Sequence, residues 1–476
     1  MSLILLVIFS SSIGWAQDLA EGTKSIEFYL AGYLENNIDL QQLMLDVEEA
    51  DAELYELYVE NGVNVEISTG SSTLTFSESD VEIAASPSVS VTIPNANNTS
   101  ITTTVPLTVT LGDSTGTSLD DAGVSLSTEI ISSTADENLL TKEEYQRAVT
   151  EAEQAVETKK ISLQVDFWDD VRDIYTADQT MKTDADELYD NKIALDTIIA
   201  QGYAESSSIY RTAQLELKES EFTVQKDERD LQKLLGDFAV SCGLSPNSIT
   251  ELPVIDENYF NIELVSFDNY RRENFIDLED VVWDHEYNER LRDAESDFSL
   301  SLDAGYGYSA SYGSIATEAE NEVSTGLTTS YKGLSTSIGV STKLEDPDEP
   351  SITFSFSYDF GTAELEDVYD IMDEIDEKGE LLDIESAIES WVEYRQDAFS
   401  EKATLEWTRE QNAEQLALYK EMYEDSQKWF ESGDIPETDL LQAENSYETK
   451  LDDSIITIID CITYNIEIEE LFIGEN

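Results

Sequence analysis

The sequence predicts an α+β chain in which one arrangement of long helices and alternating strands occurs twice. Long stretches without proline carry apolar residues at helical spacing, which is typical of extended helices. Other stretches alternate apolar and polar residues with a period of two, which indicates strands with two different faces. Residues 202–243 match residues 433–474 without gaps at an offset of 231 residues, which indicates an internal duplication.

The first 16 residues have the features of a secretory signal peptide. A short apolar run, Leu3–Phe9, precedes small residues that include Gly14 and Ala16, so cleavage is expected before Gln17. The run is far shorter than the roughly 20 apolar residues that a transmembrane helix needs. A buried N-terminal strand is the alternative interpretation. We expect an exported protein with residues 1–16 as its signal peptide.

The first structural repeat is predicted over residues 17–243. Apolar residues such as Leu40, Leu43 and Val47 recur at helical spacing in its first part. A later stretch of about 60 residues would form a helix about 90 Å long at 1.5 Å per residue. The predicted elements are helices at 24–60, 140–200 and 204–241, with strands within 63–133.

The second structural repeat is predicted over residues 244–476. Its clearest strand is the segment SITFSFSYDF, in which Ile352, Phe354 and Phe356 point one way and the serines and threonine between them point the other. The predicted elements are helices at 268–295, 362–431 and 437–473, with strands within 297–360.

Strands of this kind in an exported protein have two interpretations. One is a soluble β-sheet with one face on a core. The other is a transmembrane β-barrel, in which apolar side chains face lipid and polar side chains face the lumen. Strands of about ten residues with tyrosines near their ends favour the barrel.

The composition disfavours several classes of function. A formal net charge of −77 argues against nucleic-acid binding, which requires an excess of Lys and Arg. One histidine and two cysteines make zinc chemistry unlikely, and we expect no metal, cofactor or catalytic residue. A polysaccharide hydrolase with paired carboxylates is a rival, but no loop combines aromatic and acidic residues in a pocket-like cluster. The sequence predicts a protein that is not an enzyme.

Three features together resemble the TolC-like outer-membrane efflux protein family. The segment Tyr33–Leu40, YLENNIDL, is similar to an N-terminal family motif, with Ile38 in place of a proline. The segment Phe430–Ala443 is similar to the turn and helix near the family's C-terminus. The third feature is the duplicated order of helix, strands and helical hairpin, which covers nearly the whole mature chain.

The resemblance implies a homotrimeric, passive duct of the bacterial outer membrane that extends into the periplasm. Each protomer would give a strand pair from each repeat to a shared 12-stranded β-barrel, continued by a long α-helical barrel. The sequence offers more alternating stretches than this, and the surplus would form extracellular loops or broken, bulged strands. A periplasmic adaptor and an inner-membrane pump would complete a tripartite system for small molecules or proteins. The alternative is a coiled-coil and β-sheet surface protein, structural or adhesive, without a pore.

The resemblance also implies candidate functional residues. The turns at the ends of the two helical hairpins would contact the adaptor, and a constriction would lie at the channel entrance. The turn residues are Gln201, Gly202, Tyr203, Ser432, Gly433 and Asp434. The constriction residues are Asp439 and Gln442, where Gln442 departs from the acidic residue of the family. The simpler interpretation of the glycines is that they only permit a positive φ in a turn.

Overall fold

The computed structural model of the chain describes residues 25–70, 72–76, 80–94, 98–112, 116–131, 134–255, 257–294, 298–312 and 317–473. The predicted signal peptide lies outside these residues. Long helices and one antiparallel sheet confirm the α+β class. The chain divides into two compact units. The first contains the described residues up to Gln42, Ala155–Phe275 and those from Val392 onward; the second contains Leu43–Gln154 and Ile276–Trp391.

The boundaries of the four longest helices differ from the predicted ranges by at most six residues at either end. The helices are α1 (Ile26–Glu35), α2 (Ile38–Glu60), α3 (Thr134–Ala200), α4 (Ser208–Ser241), α5 (Ile276–Ala294), α6 (Phe360–Ser432) and α7 (Glu437–Glu470). Among the described residues, no helix is both long and apolar enough to cross a membrane.

Two predicted helices need correction. The helix predicted at 24–60 is broken at Asn36 and Asn37, because the Asn37 side chain accepts the Leu40 N–H at 2.9 Å and so starts a new helix. The helix predicted at 268–295 begins only at Ile276, since the residues before it form short 3₁₀ turns. Helical periodicity does not reveal such capping, which is set by single polar side chains.

The sheet contains eleven strands within the described residues. The strands are β1 (Asn64–Ser68), β2 (Ser72–Phe76), β3 (Asp80–Ala85), β4 (Ser88–Ile93), β5 (Thr99–Thr104), β6 (Leu107–Gly112), β7 (Gly116–Ile131), β8 (Phe298–Tyr312), β9 (Thr317–Tyr331), β10 (Leu334–Lys343) and β11 (Asp346–Tyr358). All the pairings between them are antiparallel.

Some of the eleven strands lie end to end and share one position in the sheet. We call each such position a track, and the sheet has eight tracks. In the first repeat, three tracks each consist of two strands placed end to end: β1 with β2, β3 with β4, and β5 with β6. The pairings show this, because β3 pairs with β2 and β6, while β4 pairs with β1 and β5. Pro87 and Pro106 mark two of the breaks, because proline has no N–H to give to the ladder. The Val105 N–H nevertheless donates to the Pro87 carbonyl at 2.9 Å, so pairing continues across the break.

The predicted strand pair per repeat is therefore wrong, because each repeat supplies four tracks. β7 ends the first repeat's set and pairs with β8, the first track of the second repeat. Within the described residues, β11 pairs only with β10, and the track of β1 and β2 pairs only with the track of β3 and β4. The sheet is therefore open, and the chain offers twice the strands that a 12-stranded trimer would use.

One face of the sheet is apolar along its whole width. Cross-strand partners on this face include Leu302 with Leu327, Leu327 with Ile338, and Ile338 with Phe354. Further residues on this apolar face are Val65, Ile67, Leu74, Ile83, Val89, Val91, Ile101, Val109, Val124, Leu126, Tyr306, Val323, Val340, Ile352 and Phe356.

The opposite face carries hydroxyl groups, and we call it the hydroxyl face. Ser337 and Ser355 have their Oγ atoms 2.6 Å apart, as do Ser299 and Ser330. Part of this face holds a cavity of about 490 Å³, lined mainly by small and polar residues of β5, β7, β8, β9 and β10. The lining includes Thr102, Ser125, Gly305, Glu320, Ser324 and Lys343.

The core of the first unit lies where α1, α3, α4 and α7 meet. Phe167, Val171, Ala239 and Ile459 are fully buried there. Burying a large apolar side chain stabilises a fold by about 1.5–3 kcal/mol. The rings of Tyr33 and Trp168 pack edge to face on Phe167, with ring centroids 5.6 Å and 5.4 Å away. This core fixes the helices that carry the predicted functional residues.

In the second unit, Arg147 on α3 connects that helix to α5. The guanidinium is buried, donates to both carboxylate oxygens of Glu279 at 2.7 Å and to Glu151 at 2.8 Å, and also bonds Asp280. It stacks 5.1 Å from the centre of the Trp283 ring. Burial raises the pKa of Asp280 to about 6 despite the nearby guanidinium. The Arg147–Glu279 pair is bidentate, and a lysine at position 147 could not provide this geometry.

Glu380 on α6 makes the corresponding connection to α5, and its replacement by glutamine should weaken stability most at neutral pH. Arg292 donates to both Glu380 oxygens at 2.9 Å, and these bonds lower the Glu380 pKa to about 2. Since the unfolded carboxylate titrates near 4.5, the folded state gains stability above that pH and loses it as pH falls toward 2.

For Glu380→Gln we expect a loss of about 1–2 kcal/mol at pH 7, after allowing for solvent screening, and little loss at pH 2. Urea unfolding followed by circular dichroism at both pH values measures this difference. Glu385→Gln, at an exposed position on the same helix, serves as the control. An equal effect of both variants at pH 7 would contradict the assignment.

Candidate functional site

Both helical hairpins end in the same turn geometry. Gly202 follows α3 with φ of 78°, and Gly433 follows α6 with φ of 82°. The Gly202 N–H donates to Ile199 O at 2.9 Å and the Tyr203 N–H to Ile198 O at 3.4 Å. This pattern is a Schellman motif, which closes a helix through a residue with positive φ.

The second turn repeats these bonds at the positions that the duplication predicts. The Gly433 N–H donates to Phe430 O at 3.0 Å, and the Asp434 N–H donates to Trp429 O at 2.8 Å. The Ser432 hydroxyl bonds Asp434 Oδ2 at 2.6 Å and fixes the turn further. The structure thus places all six predicted turn residues in two equivalent, exposed turns, which we call the tip turns (201–203 and 432–434).

Exposed apolar side chains surround the tip turns. Ile199 and Tyr203 are 50% and 43% exposed beside the first turn, and Trp429 and Phe430 are 52% and 40% exposed beside the second. No atom lies within 4 Å of a Cβ built on Gly202. The sequence analysis did not select Ile199, Trp429 or Phe430, although apolar residues in the last turn of an acidic helix are a usable signal. Such side chains can be buried against a partner.

Replacement of Gly433 by alanine should loosen the second tip turn. A Cβ at φ of 82° costs about 1–2 kcal/mol, although no neighbouring atom blocks it. Gly379→Ala inside α6 is the matched control, since it also meets open space but should stabilise the helix by about 0.5–1 kcal/mol. We expect faster amide hydrogen exchange at residues 433–434 in the first variant and slower exchange around 379 in the second. The same sign of change at both sites would contradict this account.

The predicted constriction residues differ in their surroundings. Asp439 lies exposed in the first turn of α7, where a carboxylate is favoured by the helix dipole. Gln442 lies one turn later, and its side-chain amide donates to Asp190 Oδ1 of α3 at 2.7 Å. Gln442 therefore attaches α7 to α3, a role that an acidic residue at this position could not fill beside Asp190.

Gln442 begins a polar ladder between α3 and α7, which run antiparallel. Each of its five rungs joins a residue of α3 to a residue of α7, and the residue numbers fall along α3 as they rise along α7. The rungs are Asp190–Gln442, Asp186–Asn445, Lys182–Asp452, Gln179–Asp453 and Arg172–Asp460. The ladder fixes the register of the two helices along about 18 residues, or about 27 Å.

Lys182 is the central rung and the most buried one. Its ammonium lies 2.8 Å from Asp452 Oδ2 and 2.6 Å from Asp178 Oδ2, and both carboxylates are buried. Burial raises the pKa of Asp452 to about 6, even though Lys182 opposes this shift. Burial and these carboxylates also raise the pKa of Tyr175 to about 12. One ammonium therefore serves two buried carboxylates, and sequence analysis missed this cluster because Asp452 lies 270 residues from Lys182.

Comparison with protein families assigns both halves of the chain. Residues 29–255 match the TP096X N-terminal domain, and residues 261–475 match the TP096X C-terminal domain. The chain belongs to the TP096X family. The two TP096X domains meet a little after position 243, where the internal duplication predicts the first repeat to end. A search of curated protein sequences finds no match to this TP096X protein.

Solved structures similar to this TP096X protein include three outer-membrane or channel-forming proteins. CusC, which forms a transmembrane channel, is 13% identical, with 96% of each chain covered and a TM-score of 0.47. The CmeC outer membrane channel of Campylobacter jejuni is 13% identical, covers 94% of this chain and 85% of its own, and has a TM-score of 0.46. The outer membrane protein VceC of Vibrio cholerae is 12% identical, covers 93% of this chain and 94% of its own, and has a TM-score of 0.43.

Proposed function

We propose that this TP096X protein is a passive duct of the bacterial outer membrane that extends into the periplasm. The observation that carries the proposal is the eight-track sheet, with one apolar face and one hydroxyl face that holds a cavity. A lipid-embedded barrel requires this division between an apolar exterior and a polar lumen. The duct needs no catalytic residue, and its cargo would be small molecules or proteins.

The open sheet supports assembly from several copies. Its two outer tracks leave backbone N–H and C=O groups without a partner strand among the described residues. Such groups cannot remain unpaired in hydrocarbon, where each would cost several kcal/mol. The resemblance to TolC-like proteins points to a homotrimer, in which neighbouring copies would supply the missing partners.

The tip turns support docking of a periplasmic adaptor. They combine a rigid Schellman geometry with exposed side chains, of which Tyr203 and Trp429 are the largest. Aromatic residues on an exposed surface are typical anchors of protein interfaces. In a tripartite system, an inner-membrane pump would deliver cargo to this end, and the ladder from Gln442 would hold α7 against α3 there.

Negative-stain electron microscopy of the protein extracted from outer membranes in detergent tests the proposal. We expect elongated threefold particles, and single-channel currents after insertion into planar lipid bilayers. The observation of monomers, or of two-stranded rods without conductance, would overturn the proposal that the protein is a duct. That outcome would favour the alternative, a structural or adhesive surface protein built from coiled coil and β-sheet.

A further inference from the structure

We infer that three copies close a barrel of 24 strands, in which β11 of one copy pairs with the β1–β2 track of the next. This inference rests on the proposed trimeric duct. It goes beyond that proposal in the number of strands, in the strands that pair between copies (the seam) and in the diameter of the barrel. Each chain supplies eight adjacent antiparallel tracks, and three times eight gives 24.

The strand count follows from the continuity of the tracks. In the first repeat, the pairing of Ala85 with Leu107 and of Ser88 with Thr104 has the same register on both sides of Pro87. In the second repeat, β8 and β9 pair over fifteen residues without a shift. Neither set can be reduced to one strand pair with long loops, because each track is hydrogen-bonded to the track beside it over several consecutive residues.

The two open edges run in opposite directions. The β1–β2 track starts at Asn64, shortly after α2 ends at Glu60, and so leads away from the helices. β11 ends at Tyr358, next to the start of α6 at Phe360, and so leads back toward them. Placed side by side in neighbouring copies, the two edges are antiparallel, like all the pairs within the chain. An even number of tracks preserves this alternation around the closed ring.

The side chains of the two edges also match. On β11, Ile352 and Phe354 are 69% and 67% exposed on the apolar face, and on β1 Ile67 is 77% exposed on the same face. The hydroxyl face continues through Ser68 on β1 and Ser355 on β11. Pairing of these edges would therefore continue both faces across the seam without a break.

The helices next to the two edges carry unpartnered apolar strips that fit the same arrangement. Both strips consist of exposed residues spaced for one helix face, at the ends of α2 and α6 that belong to the second unit. The α2 strip is Met44, Leu45, Tyr55 and Val59. The α6 strip is Leu365, Val368, Tyr369, Met372 and Ile375. Each strip adjoins one edge in sequence, so a second copy that pairs with the edge would also cover the strip.

Closure of the eight tracks on themselves fits the side chains less well. An eight-stranded barrel has an interior just wide enough for side chains to fill. The hydroxyl face offers mainly serine, threonine and glycine, such as Ser125, Gly305 and Ser324, which are too small to fill it. These residues suit the wall of a wide, water-filled lumen.

The inferred strand number sets the bore. With strands about 4.8 Å apart and tilted by about 40°, a 24-stranded barrel has a backbone diameter of about 48 Å, against about 24 Å for 12 strands. A small folded domain is about 30 Å across. The barrel would therefore admit small folded proteins as well as small molecules.

Cysteine cross-linking tests the seam directly in the full-length protein. Ser68→Cys on β1 is combined in turn with cysteine at Ser351, Thr353, Ser355 or Ser357 on β11, because all these positions lie on the hydroxyl face. After oxidation in outer membranes, we expect at least one pair to give covalent dimers and trimers and nothing larger. Both native cysteines, Cys242 and Cys461, are buried, and variants with a single added cysteine should give no covalent oligomers. The pair Ser337→Cys and Ser355→Cys, whose hydroxyls are 2.6 Å apart within one chain, should cross-link internally and shows that the sheet is folded.

The outcomes separate this inference from the duct itself. Cross-links within one chain for the Ser68 pairs would establish closure of a single copy and overturn the inference. Threefold particles with a barrel near 24 Å, and no Ser68 cross-link while the internal pair reacts, would also overturn it but leave the duct standing. Cross-linked chains longer than trimers, without threefold particles, would overturn the proposed function as well.

Discussion

Replacement of Lys182 by methionine is expected to destabilise the first unit by about 3–5 kcal/mol at pH 7.5, because it leaves buried carboxylates without their cation. Asp178 and Asp452 are 6% and 2% exposed, and Lys182 lies within 2.8 Å of both. Methionine preserves the length of the side chain, so packing changes little. The loss should appear as a lower midpoint in urea unfolding, followed by the helical circular dichroism signal.

The same variant should recover much of its stability at pH 5. Burial raises the pKa of Asp452 from 3.8 to about 6 with Lys182 present, so the folded state binds more protons than the unfolded state between these values. Stability therefore falls as pH rises through this window, and without Lys182 the fall should be steeper. Protonated carboxylic acids do not need the ammonium, which is why acidification should compensate for its removal.

Two further variants make the Lys182 prediction specific. Lys192→Met, at an exposed position on the same helix, should change stability by no more than about 0.5 kcal/mol. Addition of Asp452→Asn to Lys182→Met should restore part of the loss at pH 7.5, since one of the unpaired charges is then absent. Equal effects of the two lysine variants, or a loss independent of pH, would show that the buried triad does not hold α3 against α7.

The tip turns illustrate what the sequence reveals about this molecule. Gly202 and Gly433 stand at equal positions of a duplicated sequence, and the two turns have the same hydrogen bonds. A local motif that depends on one residue type with positive φ is visible in a sequence without knowledge of its surroundings. The predicted roles of the turns in docking remain predictions.

Features that depend on distant partners could not be predicted. The ladder from Gln442 to Arg172 joins residues that are 252 to 288 positions apart, and polar residues on an acidic helix give no sign of which carboxylate they will meet. The strand number was wrong for another reason. Two strands per repeat came from the resemblance to TolC-like proteins, whereas in the structure the strand pairing continues on both sides of Pro87 and Pro106.

Leu327→Lys is expected to abolish assembly in the outer membrane, whereas Thr328→Lys should be tolerated. Leu327 lies on the apolar face of β9 between Leu302 and Ile338. Thr328 follows on the hydroxyl face, where its partners are Ser301 and Ser337. Both changes introduce the same side chain, one residue apart on one strand, so strand propensity and charge are matched.

The expected difference comes from the solvent that each face meets. Lysine on the lipid face near the middle of a membrane costs about 2–4 kcal/mol per chain, or about 6–12 kcal/mol for three copies. On the lumen face the ammonium stays in water and costs little. The fraction of protein found as folded oligomers in isolated outer membranes measures this. If Thr328→Lys were as harmful as Leu327→Lys, the hydroxyl face would not line a water-filled lumen, and a sheet with both faces in contact with protein would explain the strands better.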